Sequence, residues 1–469
     1  MSANELSRKS AVELARLIRT RAVTPLEVLE AHLETIALLN PTLNAIVTVA
    51  DNAREAAVTA GEAVTSGKTL GPVHGLPVVI KDVTLTAGIR TTFGSPLYRD
   101  FVPKHDAAAV ARLRKAGAII LGKTNTPEFA TGANTVNELF GATRNPWNTA
   151  LSPAGSSGGS AVAVASGMAP LAQGTDFGCS IRIPASFCGI VGLRTSGGLI
   201  PNEGMHLPWD YGQVHGPLAR SAEDAALMLD AMTGFDPLWP ISVPPTWGSA
   251  LRVVEETDDA RGLRVAYVSD IAGFGVDSEI DVISREAALQ LKDHGATVEE
   301  IAFSAADGIE AYKTLRGEWM LGQQLERMAL LDKFGPNLTG NIRHGLGLTA
   351  NDIATAENRR EVVWRRFVDL FSRYDFLITP AAPVPPYPVD KNYPEDINGR
   401  KLENYIDWVA QAFLVTMVGF PAGSVPGGKT ASGLPVGLQI VGPRLSEPRI
   451  LGLAKLIEAA RPVGWPPVP

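Results

Sequence analysis

The chain is poor in cysteine, in net charge of one sign and in long apolar runs, and each shortage removes a class of protein. Two cysteines in 469 residues, Cys179 and Cys188, exclude a disulfide framework and fit a reducing compartment. A net charge of −7 lacks the basic face that nucleic-acid binding needs. No run of about 18 apolar residues occurs, so no membrane span is expected. The opening MSANELSRKSAVELARLIRT has no apolar stretch ahead of a small-residue cleavage site, so no signal peptide is expected and the cytoplasm is the expected location. There is no cysteine pair at ligand spacing and no His-x-x-x-His, so neither a metal nor another cofactor is expected.

What is present is a chain that is 45% hydrophobic and 19% charged, the balance of a globular protein with a large core. Ala11, Leu14, Ala15 and Ile18 share one helical face. Thr24, Pro25 and Glu27 write a capping box with a first-turn proline, and Asn40–Pro41 marks the expected stop of that helix. AIVTV (45–49), LPVVI (76–80), AIIL (118–121), RVAYVS (264–269), ATVEEI (296–301), FLITP (376–380), GSVPG (423–427) and LPVGLQIVG (434–442) read as strands. Helices are expected over 51–67, 106–116 and 158–168, after a Ser221–Asp224 capping box, near 277–293, through most of 305–375 and after the last strand. The alternation predicts an α/β fold, a mixed twisted β-sheet covered by helices on both faces. The Pro-rich stretch 380–396 is expected to be a surface loop.

Three segments carry chemistry. SPAGSSGGSAVAVASGMA (152–169) packs three glycines and two serines into Gly155–Gly159 ahead of a small-residue helix. Such a turn brings backbone N–H groups and hydroxyls close to something bound. GTDFGCSIRIPASFCG (174–189) places Asp176, Ser180 and Arg182 around a second tight turn. Asp176 and Arg182 are expected to pair, because an unpaired buried charge is costly, and the pair would stiffen the turn. GLPVVIKD (75–82) ends an apolar strand with Lys81. In solvent that lysine is ordinary; buried, its pKa falls and it becomes a neutral base.

Two other patterns compete. GAIILGKT (117–124) fits the G-x-x-x-x-G-K-T of a phosphate loop, but Ala118–Leu121 is a buried-strand run and Asn-Thr-Pro follows, so this reading is rejected. Gly155–Gly159 also fits G-x-S-x-G with Ser157 at its centre, the nucleophile elbow of an α/β-hydrolase esterase. That reading needs a downstream histidine: His206, His215, His294 or His344.

Taken together, in this order and with 180 − 156 = 24 positions between the two serines, GLPVVIKD, GSSGGSA (155–161) and GTDFGCSIRIPASFCG resemble the amidase signature family. GKTNTPEFA (122–130), NPWN (145–148), HGPLARSAEDAALML (215–229) and GLPVGLQIVGP (433–443) extend the resemblance over nearly the whole chain. It implies a single domain over 1–469: N-terminal helices (1–68), a signature core (69–235), a more variable region (236–375) and a sheet-completing part (376–469). It implies hydrolysis of small or aryl amides, with anilides, esters or carbamates in scope. Ser180 is then the nucleophile, Ser156 the bridging serine after a cis peptide bond, and Lys81 the general base. The backbone N–H groups of Phe177, Gly178, Cys179 and Ser180 would form the oxyanion hole, with Ser157, Asp176 and Arg182 in support. By the same analogy the substrate pocket is lined near Thr126, Ala130 and Gly132, by loop 203–212 with Trp209 and Tyr211, and around Trp319. The implied partners are a small amide and water, with no nucleic acid and no membrane, and a homodimer is the candidate assembly. The glutamine-cleaving component of a tRNA-dependent amidotransferase shares the signature and is the alternative within it. The chain departs from the family at Cys179 and Ala154, where the family usually has glycine. Cys179 as the nucleophile itself is a further alternative.

Overall fold

Helix starts follow the capping chemistry. The computed structural model describes residues 2–202 and 207–467. In it Glu27 N donates to Thr24 Oγ1 at 3.2 Å and Thr24 N to Glu27 Oε2 at 2.7 Å, which opens the helix Pro25–Leu43. Contrary to expectation this helix does not stop at Pro41. Asn40 secures the turn beyond it: its carbonyl accepts from Asn44 N, and its side chain accepts from Ala45 N and Ile46 N. The helix ends where Asn44 turns left-handed at φ 50°. Ser221 caps Ala222–Met232 as expected, but the box does not close; the Asp224 carboxylate accepts from Val12 N at 2.9 Å instead.

Eleven strands form one mixed sheet. In chain order they are β1 Ile46–Val49, β2 Pro77–Lys81, β3 Ile119–Thr124, β4 Leu171–Asp176, β5 Val191–Arg194, β6 Val214–Ala219, β7 Arg264–Tyr267, β8 Thr297–Glu300, β9 Phe376–Pro380, β10 Ala422–Lys429 and β11 Pro435–Val441. Their spatial order is β1-β3-β2-β4-β6-β5-β10-β11-β9-β7-β8. The pairs β2–β3, β2–β4, β9–β7 and β7–β8 are parallel and the others antiparallel. Helices cover both faces, and the alternation of strand residues proves it. Val265 and Tyr267 of β7, and Phe376 and Ile378 of β9, join one apolar core; Ala266 and Leu377 between them join another. Among the described residues no helix is long and apolar enough to cross a membrane.

Three central strands were not expected. LAQGTD, VGLR and VHGPLA are poor in β-branched residues, and what holds them is position. Strand β4, for example, pairs with β2 on one edge and β6 on the other. The expected strand 118–121 runs on through Gly122 and Lys123 to Thr124. Lys123 is buried there, its ammonium held by the Thr84 carbonyl and the Thr86 and Thr91 hydroxyls, so the phosphate-loop pattern is a strand. The Pro-rich stretch is a surface loop only in its second half. Tyr387 is buried against Phe187 and Trp408, and its carbonyl accepts from Ser152 N at 2.7 Å.

Candidate active site

Because β2 and β4 run parallel with Ile80 beside Gln173, Lys81 and Thr175 emerge together at the carboxyl ends of their strands, where open α/β sheets place ligands. The small-residue helix α1 (Gly158–Ala165) is wholly buried beside them. Its glycines permit the approach: a Cβ on Gly159 would lie 2.5 Å from Asn125 N and 2.6 Å from its carbonyl oxygen. Ser160 Oγ donates to Gln173 O at 3.0 Å, and Ser157 Oγ donates to Thr175 O at 3.2 Å while accepting from Thr175 N at 3.3 Å. These bonds pin the loop in front of α1, where the Gly155–Ser156 peptide is cis.

Ser156 is thereby delivered to Lys81. Lys81 Nζ lies 2.6 Å from Ser156 Oγ and 3.0 Å from Thr175 Oγ1. The lysine is fully buried, and desolvation lowers its pKa to about 7 against the opposing pull of Asp176 and Cys179. A large fraction of the amine is therefore neutral at neutral pH.

Beyond Asp176 the chain turns through residues 177–181 into helix α2 (Arg182–Cys188), an element absent from the expectations. The turn is held from behind. Arg182 grips Asp176 with two bonds, Nη2–Oδ1 at 2.8 Å and Nε–Oδ2 at 3.1 Å, and donates to Gly178 O at 2.7 Å. Arg194 adds a bond to the Asp176 carbonyl at 2.8 Å. Burial alone would raise the Asp176 pKa, but Arg182 and Arg194 outweigh it and hold it at about 2. The expected pairing of Asp176 with Arg182 is thus present, and Arg194 completes a triad that sequence reasoning missed. Tyr312 OH donates to Phe177 O at 3.2 Å. While these carbonyls are held, the N–H groups of Phe177, Gly178, Cys179 and Ser180 donate to nothing in the chain among the described residues. A Cβ on Gly178 would meet Tyr312 OH at 2.9 Å and push on the hydroxyl that donates to Phe177 O.

Ser180 is half-buried and its hydroxyl has no hydrogen bond to the chain among the described residues. It lines a cavity of about 40 Å³ together with Ser156, Thr175, Phe177, Gly178 and Cys179. Of the expected pocket residues, Ala130 and Gly132 line this cavity and Tyr211 lines an adjoining outer cleft. Thr126 is buried outside the cavity, and Trp209 is 72% exposed and lines neither space. Positions 203–206 of the expected lining loop, His206 included, lie outside the described residues. Thr175, Tyr312, Arg316 and Met320 line the cavity without having been anticipated, whereas Trp319 was.

The competing nucleophiles fare differently. Ser157 is buried with its hydroxyl occupied by Thr175 in both directions, unlike the exposed serine of a nucleophile elbow. His215 is buried against Gln173 Nε2 at 2.8 Å, and burial with nearby Lys81 lowers its pKa to about 4. His294 and His344 do not line the cavity. Cys179 does, but burial, reinforced by Asp176, pushes its thiol up to about 12, too high for a thiolate nucleophile. Cys179→Ala is expected to keep at least about half of kcat/KM on a 4-nitroanilide, since the thiol fills space there without reacting. A loss beyond about 100-fold would make it a participant.

An amidase family model matches residues 27–451 of the chain. An acylamidase of Rhodococcus erythropolis is 35% identical over 475 residues, covering 98% of this chain and 97% of that one. A glutamyl-tRNA(Gln) amidotransferase component from Acidothermus cellulolyticus is 34% identical, covering 97% of this chain and 95% of that one. Among solved structures, a bacterial aryl acylamidase of the amidase signature family superposes with a TM-score of 0.89 at 28% identity, over 96% of both chains. A 6-aminohexanoate cyclic dimer hydrolase superposes at 0.88 and 27%, over 99% of both.

Proposed function

The chain belongs to the amidase family and is an amide C–N hydrolase, and from that premise we propose that it cleaves small or aryl amides through an acyl-enzyme on Ser180, with Ser156 and Lys81 as the proton relay. The observation that carries the reading is the 2.6 Å contact between buried Lys81 and Ser156, which lines the same cavity as Ser180.

In the proposed sequence neutral Lys81 takes the Ser156 proton as Ser156 takes the proton of Ser180. Ser180 Oγ bonds to the carbonyl carbon, and the carbonyl π electrons move to oxygen. The N–H groups of residues 177–180, without a partner among the described residues, would supply the donors for that charge; losing one such donor typically costs roughly 3–4 kcal/mol. On collapse the C–N bond breaks, and the proton returns through Ser156 to the leaving nitrogen. Water, deprotonated by the same relay, then releases the acid. Thr175 Oγ1, a second partner of Lys81 Nζ, orients the amine toward Ser156.

The aryl preference rests on a cleft of about 280 Å³ that adjoins the cavity at Phe129, Ala130 and Trp319. Phe93, Tyr98, Phe101 and Phe129 pack ring on ring along it, a surface suited to one aromatic arm. A panel of a 4-nitroanilide, an aliphatic primary amide, an aryl carbamate and glutamine tests the proposal. The anilide is expected to give the highest kcat/KM, by about 10-fold or more over the aliphatic amide. Glutamine as the best substrate, together with copurification of a second protein chain, would establish the amidotransferase reading instead. We place the activity in the cytoplasm, on a small amide and water alone.

A further inference from the structure

Helix α3 (Ile309–Gln324) turns Tyr312, Arg316 and Trp319 toward the cavity at four- and three-residue intervals. Arg316 is 6% exposed and lines both the cavity that contains Ser180 and an outer cleft of about 550 Å³. Its fixed partners are all neutral. Nε donates to Asn341 Oδ1 at 3.1 Å, Nη2 to Tyr405 OH at 2.9 Å and Nη1 to Tyr312 OH at a long 3.5 Å. The Phe177 ring lies 5.7 Å from the guanidinium carbon.

The contrast with the other buried arginines is what gives this meaning. Arg182 and Arg194 share the Asp176 carboxylate. Arg316 is buried nearly as deeply, yet among the described residues no carboxylate pairs with it. A guanidinium withdrawn from water is costly to leave without an anion. Its planar fork, with N–H donors left over after three bonds to neutral side chains, fits a carboxylate through two parallel bonds. Asp210, an acid of the outer cleft that bonds to α3, does not serve as that partner. Its oxygens accept from Trp319 Nε1 at 2.7 Å and from Gly212 N and Gln213 N.

We propose that Arg316 is the anion receptor of this site, and that the preferred substrates are amides that also carry a carboxylate. This rests on the amide-hydrolase reading above, with Arg316 binding the carboxylate at the inner end of the outer cleft while the amide carbon reaches Ser180. It is a specificity-determining residue and takes no part in the proton relay.

The test uses acid substrates and neutral isosteres in which an acetyl group replaces the carboxylate. Succinic mono-4-nitroanilide is paired with levulinic 4-nitroanilide, and 4-acetamidobenzoate with 4-acetamidoacetophenone, so that either side of the amide is probed. Release of the aniline is followed chromatographically. The parent enzyme is expected to favour the acid of at least one pair by about 10-fold or more in kcat/KM. In Arg316→Gln that preference falls below about 2-fold through KM, while the isosteres keep their rates within about 3-fold. Arg316→Lys restores part of the preference, as a point charge without the fork. Equal loss for acid and isostere, or no acid preference in either pair, overturns the inference and leaves the amide reading standing. Failure of the parent to cleave any of the four overturns both. If Arg316→Gln does not fold, inhibition of the parent decides. Succinate monoamide is expected to compete at about 10-fold lower concentration than levulinamide, and equal inhibition overturns the proposal.

Discussion

Ser180→Ala is expected to lower anilide hydrolysis by about 10⁴-fold or more, because no covalent route survives without the hydroxyl. The loss should fall on kcat, with KM for the anilide within about 3-fold of the parent, since the lining that holds the substrate is untouched. Stability should hardly move. The Ser180 hydroxyl has no partner among the described residues, so its removal orphans nothing, and the melting temperature should stay within about 2 °C. Rates of nitroaniline release and a thermal melt check both. Full activity in the variant would remove Ser180 from the chemistry and return attention to Ser157, whose hydroxyl would first have to leave Thr175.

Lys81→Met is expected to cost about 10³-fold or more in kcat/KM, and to erase a feature of the pH profile as well. With the lysine pKa near 7, parent activity rises with pH through that value as the amine loses its proton, then levels off. The variant should show no such limb. The stability sign follows from the same shift. Lys81 titrates near 10.5 in the unfolded chain and near 7 in the folded one, so between those values the unfolded state binds more protons and parent stability rises with pH. Methionine carries no such burden. The difference in melting temperature, variant minus parent, should therefore be more positive at pH 7 than at pH 10. A flat difference, or an active variant coupled to an essential histidine, would overturn the assignment.

The parts of the site that were legible in the sequence share a property: their residue types contradict their surroundings. A lysine closing an apolar strand, serines among glycines, and an acid with a base six positions on all ask for an explanation, and Lys81, Ser156, Ser180, Asp176 and Arg182 lie together in space. Thr175 and Arg316 went unnoticed because nothing around them looks out of place. A threonine in a strand is ordinary, and Arg316 stands in IEAYKTLRGEWMLGQQ, a stretch with the charges of any surface helix. Their roles come from tertiary placement alone. The same holds for the fold. Strands with β-branched runs, such as β2 and β9, were readable; β4, β5 and β6 were not, because a central position between two neighbours supplies what their composition lacks. Thr126 and Trp209, expected near the substrate, line neither the cavity nor the outer cleft. They were placed by analogy, and one chain's pocket loops need not reach as another's do.

The close approach of α1 to the strand ends also decides where this protein can change. Gly159 leaves no room for even one methyl group beside Asn125, and a Cβ on Gly155 would meet the Asn134 backbone at 3.0 Å. Selection for new substrates, in nature or in a library, would find the loop and helix that carry Ser156 frozen. Helix α3, by contrast, contributes Arg316, Trp319 and Met320 to the cavity lining at three- and four-residue spacing, with two clefts opening around them. A library of three codons there would alter the lining of the cavity and of both clefts while leaving Lys81, Ser156 and Ser180 in place.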